Sequence, residues 1–266
     1  MKHKKLLSAA LVAGSMLAAS AASAFPTFTV DSSSYGGRIF QADRLTGGYE
    51  EALTITSATT FDASILVQIA QYFNTGNPSA IAGTGLGTSA GNYGLYALFN
   101  GSGTYTTIAG ATTFSLNPGG PLGLYLDPNG NFGNPLKTTF TTPATGSIPY
   151  VRGAFADDIL LASGSSLVGD GNLTCTGSSN NCGSFGQTAT FNLTSPAGTS
   201  FFTVPNPFYN LAITTGQFNG FPIVVGSTQI LHGSADTVFN RVPEPTSLAL
   251  FGLALVGLGV ARRRKS

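Results

Sequence analysis

Phe61-Asp62-Ala63-Ser64-Ile65-Leu66-Val67-Gln68-Ile69-Ala70 is the stretch that decides the fold. Phe61, Ala63, Ile65, Val67 and Ile69 alternate with Asp62, Ser64, Gln68 and Ala70, and only Leu66 breaks the pattern. A period of two places one apolar set on one face, so the stretch reads as a long strand with one buried side. Working outward, other short apolar runs are separated by Gly, Pro and Asn turns. Leu53–Thr56 and Tyr93–Phe99 are two of them, the second closed by Asn100-Gly101-Ser102-Gly103. Tyr105–Ile108, Thr112–Leu116 and Leu122–Leu126 follow, the last ending at the turn signal Asp127-Pro128-Asn129-Gly130. Thr188–Leu193, Phe201–Val204, Ile223–Val225 and Thr237–Val242 complete the set. Upstream, Gly36-Gly37 marks a turn between two extended pieces in Val30–Phe40, and Asp157–Ala162 is the best helix candidate. Strands of this length and spacing predict an all-β body, a β-sandwich or jelly roll.

The ends of the 266-residue chain differ from this body. Lys2, Lys4 and Lys5 precede an apolar stretch from Leu6 to Ala22, and Ala22-Ser23-Ala24 closes it. Basic, apolar, then small-x-small is the form of a signal peptide over residues 1–24, cleaved after Ala24; an N-terminal anchor is the other reading. At the far end, Val242-Pro243-Glu244-Pro245-Thr246 precedes an uncharged run from Ser247 to Ala261 and then Arg262-Arg263-Arg264-Lys265. As a helix the run would rise only about 22 Å, short of a bilayer core of about 30 Å. Trailing positive charge favours a cytoplasmic tail, which leaves the body on the opposite side of the membrane. The expected organisation is a signal peptide (1–24), one all-β extracellular domain (25–241) and a sorting segment with a short transmembrane helix (242–266).

The body carries ten acidic side chains against five basic ones, a net charge of −5, while the full chain sums to +1. Scattered bases on an acidic body do not neutralise a phosphate backbone, which excludes nucleic-acid partners. Polarity comes from Gly, Ser, Thr and Asn instead, groups that hydrogen-bond sugars without strong fields. Cys175 and Cys182 enclose a six-residue polar turn, Thr-Gly-Ser-Ser-Asn-Asn. In an oxidising compartment that spacing reads as a disulfide; the alternative, a metal site, lacks a nearby histidine.

Catalytic signals are weak. Gly83-Thr84-Gly85-Leu86-Gly87 has the wrong spacing and context for a nucleotide loop. Gly87-Thr88-Ser89-Ala90-Gly91 matches a nucleophile elbow in letters but lacks the strand and helix around it, and the body's one histidine, His232, lies four residues from Asp236. Glu50-Glu51 and Asp157-Asp158 are adjacent pairs, whose members point to opposite faces of a strand. Asp127-Pro128-Asn129-Gly130-Asn131 alternates oxygen ligands around a turn, which reads as an ion-free Asx-type turn or as a weak calcium site. The expectation is therefore no catalytic residue, no cofactor and no metal.

The C-terminal pattern of Val242-Pro243-Glu244-Pro245, a Leu/Gly/Ala-rich segment and an Arg cluster closely resembles the PEP-CTERM sorting signal of polysaccharide-producing Gram-negative bacteria. That resemblance implies recognition by an exosortase, cleavage near Pro-Glu-Pro, transient residence in the inner membrane, and release to the cell surface or matrix. The body itself resembles the flocculation-associated PEP-CTERM protein family. The matching stretches include Phe25–Asp31, Gly94–Phe99, Leu124–Pro128, Asp157–Gly164, Pro207–Ala212 and Gly233–Asp236. This second resemblance implies an exported, non-catalytic protein that associates with exopolysaccharide and promotes floc formation. A secreted polysaccharide-modifying enzyme and a calcium-dependent carbohydrate-binding module are the alternatives.

Overall fold

A computed structural model describes residues 25–74, 77, 79–87, 92–128, 157–175, 182–215 and 218–240. Its main element is one antiparallel sheet that closes on itself. Strands β3 (Arg44–Ile55), β4 (Thr60–Phe73) and β5 (Gly94–Ile108) form a meander. β6 (Ala111–Leu116) and β7 (Pro121–Asp127) run in the same direction along β5, as two halves of one interrupted strand. Both halves pair on their other side with β8 (Ile159–Leu173). β8 then pairs with β9 (Gly183–Ala189) and with the two-residue β10 (Asn192–Leu193). β9 pairs with β12 (Asn210–Thr215), β12 with β13 (Thr228–Asn240), and β13 with β3. Every stave thus has two neighbours, and among the described residues the barrel leaves no long edge to template association.

The all-β expectation is borne out. The two layers expected to face each other are opposite walls of this single closed sheet. Ile65, Val67, Ala97, Phe99 and Leu122 from β4, β5 and β7 meet Phe185, Gln187 and Ile213 from β9 and β12 around a void of only about 10 Å³. The barrel is filled by its own side chains. Its exposed positions include Ser102, Thr104, Thr106, Thr113, Ser115 and Asn172, so apolar groups point in and polar groups out. A lipid-facing barrel shows the reverse pattern.

One pole is capped by a small second sheet, β11 (Phe202–Val204), β1 (Phe28–Asp31) and β2 (Ile39–Ala42) in that order. A single 3₁₀ turn, Ser33–Tyr35, links β1 to β2 where the glycine pair predicts a turn, and a five-residue helix α1 (Ala197–Phe201) leads into β11. The cap and barrel meet through rings. Phe28 contacts Phe239 with centroids 4.8 Å apart, and Phe40 contacts Tyr72 at 4.8 Å. Edge-on packing of this kind adds to plain area burial. The buried Tyr93 hydroxyl donates to Tyr72 (3.1 Å), and burial pushes the Tyr93 phenol up to about 12.

Several elements differ from expectation. Asp157–Ala162 is not helical: Ile159 onward belongs to β8, whose pairing with β6, β7, β9 and β10 outweighs local helix preference. Asn100–Gly103 does not end a strand, because β5 passes straight through it. A Cβ on Gly101 would lie 2.5 Å from the Phe99 ring and one on Gly103 2.5 Å from the Phe61 ring, so these glycines make room for aromatics. Ile223–Val225 is not a strand, and the strand expected at Leu53–Thr56 is the end of the longer β3, as the strand expected from Thr237 is, through Asn240, the end of the longer β13; Arg241 and Val242 lie outside the described residues. Leu66 breaks the alternation because the outer face is also covered there, where Leu66, Ala52 and Tyr96 form a second buried cluster.

Candidate functional site

The strand period separates Glu50 from Glu51. Glu50 lies on the outer face, where its Oε2 sits 3.9 Å from His232 Nδ1 on the neighbouring β13. His232 is 67% exposed, Glu50 24%, and together with Gly48, Leu66 and Gln68 they line a shallow depression of about 130 Å³. Glu51 points inward between Tyr49 and Leu53. It lines an internal void of about 20 Å³ with Phe61, Phe114, Phe185, Phe218 and Leu231. Desolvation there pushes the Glu51 carboxyl up to about 7.

His232 and Asp236 share the outer face of β13 but stand about 13 Å apart along it. They are not brought together as a base and its orienting carboxylate. Ser89, and with it the Gly87–Gly91 match, lies outside the described residues apart from Gly87 itself. Asp127 terminates β7 and is completely buried, while Asn129–Asn131 lie outside the described residues. A cleft of about 390 Å³ opens where β4 runs past its last pairing with β5. Gln71, Ile81, Thr84, Leu86 and Asn92 line it without a charged group.

Cys175 and Cys182 are disulfide-bonded, their Cα atoms 5.8 Å apart, just beyond the paired ends of β8 and β9. The backbone hydrogen bond from Thr174 N to Cys182 O (2.8 Å) extends that pairing into the loop. The bond therefore staples the seam that closes the barrel, which spacing alone did not reveal.

On the outer wall, hydroxyls and amides form rows across β5, β6, β8 and β9. Thr104 is paired with Ser115 and Ser115 with Asp170; Thr106 with Thr113, Thr113 with Asn172, and Asn172 with Ser184. Ser115 Oγ donates to Asp170 Oδ1 (3.1 Å), and Ser184 Oγ donates to Asn172 Oδ1 (3.1 Å).

The residues expected to carry sorting, Val242, Pro243, Glu244, Pro245, Arg262, Arg263 and Arg264, lie outside the described residues, as do Ala22 and Ala24 of the N-terminal segment. Where the described part ends is informative: β13 runs to Asn240, and Phe239 is wholly buried at the capped pole. No described helix is long and apolar enough to cross a membrane. No curated protein and no solved structure is significantly similar to the chain. A family model does match directly after β13, over residues 241–265, and its description is the PEP-CTERM protein-sorting motif. The capped barrel is thus followed at once by a PEP-CTERM sorting motif, which marks this chain as an exported protein addressed to an exosortase.

Proposed function

We propose that the barrel, once exported and released from its sorting segment, is a non-catalytic surface or matrix protein that associates with exopolysaccharide and promotes cell aggregation. The observation that carries this reading is the polar wall of β5, β6, β8 and β9. Exposed Ser102, Thr104, Thr106, Thr113, Ser115 and Asn172 offer donors and acceptors at strand spacing, with Asp170 as the charged side chain among them. A polyhydroxylated chain lying on such a wall meets many weak hydrogen bonds. Many copies held in one matrix turn weak contacts into firm association. The PEP-CTERM motif supports delivery to the compartment where that polymer resides.

The test has two parts. Cells lacking the gene should settle more slowly while secreting a normal amount of polysaccharide. The purified body should co-sediment with that polysaccharide, and replacing Thr106 and Thr113 with glutamate should abolish the co-sedimentation without altering the circular-dichroism spectrum. Normal settling of the deletion strain, or binding indifferent to the wall substitutions, refutes the reading.

A further inference from the structure

β4 outlasts its neighbour. Its last pairing with β5 is Ile69 with Leu95, yet it runs on to Phe73 beside β3. Residues 80–86 and Asn92 stand beside the stretch that β5 leaves unpaired, and the cleft of about 390 Å³ lies between them and β4. This rim is irregular but firmly tied. Ile81 N donates to Tyr72 O (2.9 Å), which occupies part of the open edge of β4. Ser32 Oγ donates to Thr84 O (2.7 Å), Arg38 Nε and Nη2 donate to Ala82 O (3.2 and 3.0 Å), and Tyr93 N donates to Gly85 O (2.9 Å). Gly85 has a φ of 77°, and a Cβ there would lie 2.7 Å from Gly37 N, so the rim takes a path open to glycine. A Cβ on Gly87 would lie 2.7 Å from Asn92 Nδ2, and its absence leaves the Asn92 carboxamide its place. The glycine run that lacks the context of a nucleotide loop thus shapes a cleft instead.

The chemistry of the lining selects the ligand. No Asp, Glu, Lys, Arg or His occurs between Asp62 and Asp127, so the rim and this end of β4 are uncharged. Arg38 lies against Gly83 but spends two of its nitrogens on the Ala82 carbonyl. An anionic ligand would find no counter-charge here to offset its desolvation. Gln71 is exposed and Asn92 half-buried, and among the described residues neither carboxamide has a hydrogen-bond partner. Each offers an acceptor oxygen beside N–H donors, a match for neighbouring hydroxyls on a sugar ring, which also donate and accept. Half-buried Ile81 and Leu86 supply apolar contact for the ring's C–H groups. We propose that this cleft binds neutral oligosaccharide, about two sugar rings at a time, since its volume is at the low end for ligand sites. The tethered rim needs little further ordering when the sugar enters. The proposal rests on the reading that the exported barrel meets exopolysaccharide, and it adds a site that reads ring identity. The cleft is at the opposite end of β4 from Thr60, the partner of Thr104 on the polar wall. The wall gathers polymer through many weak contacts, and the cleft decides which sugar is accepted.

The probe is exopolysaccharide from the protein's own cells, cut by partial acid hydrolysis and separated by anion exchange into neutral and acidic oligosaccharides. Saturation-transfer NMR with the protein purified from those cells should show contact with the neutral fraction and not with the acidic one. Ala70→Trp should abolish the transfer, because Ala70 is exposed at the cleft and a large ring there fills it. Gln71→Ala and Asn92→Ala should each weaken binding about tenfold, the loss of a hydrogen bond. The urea midpoints of Ala70→Trp and Gln71→Ala should match that of the natural protein. Thr106→Glu with Thr113→Glu should leave oligosaccharide binding unchanged while intact polymer no longer co-sediments. Transfer that survives Ala70→Trp, that comes from the acidic fraction, or that is absent while intact polymer still binds overturns the cleft and leaves the wall reading standing. If neither oligosaccharide nor intact polymer binds, the polysaccharide reading falls and the cleft with it.

Discussion

Glu51→Gln should remove a loss of stability that this barrel suffers as pH rises through the acid range. The carboxyl of Glu51 shares its void with Leu53, Phe61, Phe114, Phe185, Phe218 and Leu231, none of which can offset a negative charge, and with Gly171 and Ser184, whose hydroxyl is engaged with Asn172 Oδ1. Burial pushes its titration from 4.5 up to about 7 in the folded chain. The unfolded chain releases the proton near 4.5 and the folded chain keeps it until about 7. Between those values the native state binds more protons, so stability falls as pH rises. The slope is about 1.4 kcal/mol per pH unit, and the fall across the whole interval comes to about 3 kcal/mol. Below 4.5 both states are protonated and above 7 both are ionised, so the site adds no slope at either extreme. A loss of that size is a large fraction of the 5–15 kcal/mol, roughly, that holds a domain together.

Glutamine keeps the shape of the protonated acid and has no proton to lose. Urea unfolding of the oxidised body, followed by circular dichroism because the chain contains no Trp, should show the natural protein losing stability from pH 4.5 to 7.5. The variant should lack that part of the loss. With a urea slope of about 2–3 kcal/mol per molar, the difference between the two midpoints should grow by about 1 M across the interval. Other titrating groups, Asp62 among them, cancel in the difference because both proteins carry them. Parallel midpoint curves for the two proteins would refute the assignment of Glu51 to an uncharged interior position.

Replacing Cys175 and Cys182 with serine should cost about 2 kcal/mol, the lower part of the usual range because the closed loop is short, and reducing the natural protein should lower its urea midpoint equally. Gly47→Ala should prevent accumulation of folded protein, since the new Cβ would fall 1.7 Å from the Gln68 carbonyl oxygen; the expected penalty is above about 3 kcal/mol. Gly48→Ala is its control: there the nearest atom, Gly233 O, is 3.6 Å away, and secretion yield should hardly change. His232→Ala should change the unfolding free energy, read from urea denaturation, by less than about 0.5 kcal/mol, because an exposed pair at 3.9 Å is screened by water.

These residues also explain which parts of the fold were readable from sequence. β4 was readable because its buried set, Phe61 to Ile69, follows the strand period in consecutive residues. β3 was mostly missed because Gly47-Gly48 and Glu50-Glu51 look like a polar turn. In space Gly47 is a bulge pressed against β4, and the two glutamates occupy opposite faces of one strand. β5 and β8 were misjudged for a related reason: their glycines and short apolar runs acquire meaning only from distant partners. Gly103 accommodates Phe61, and β8 is held by strands drawn from both sides of it in sequence. The C-terminal motif needed no such partners, since a protein that reads a linear signal meets its residues in chain order, and it was fully apparent. Glu51 lies between these cases. Strand geometry alone puts Glu50 and Glu51 on opposite sides, but the choice of inner residue belongs to the register, in which Tyr49 and Leu53 face the core and carry Glu51 in with them. That inward placement follows from closure of the sheet. Pairing β8 with β9 gives β3, at the far side of the ring, an interior to face, and without that seam Glu51 would remain in water with its ordinary acidity.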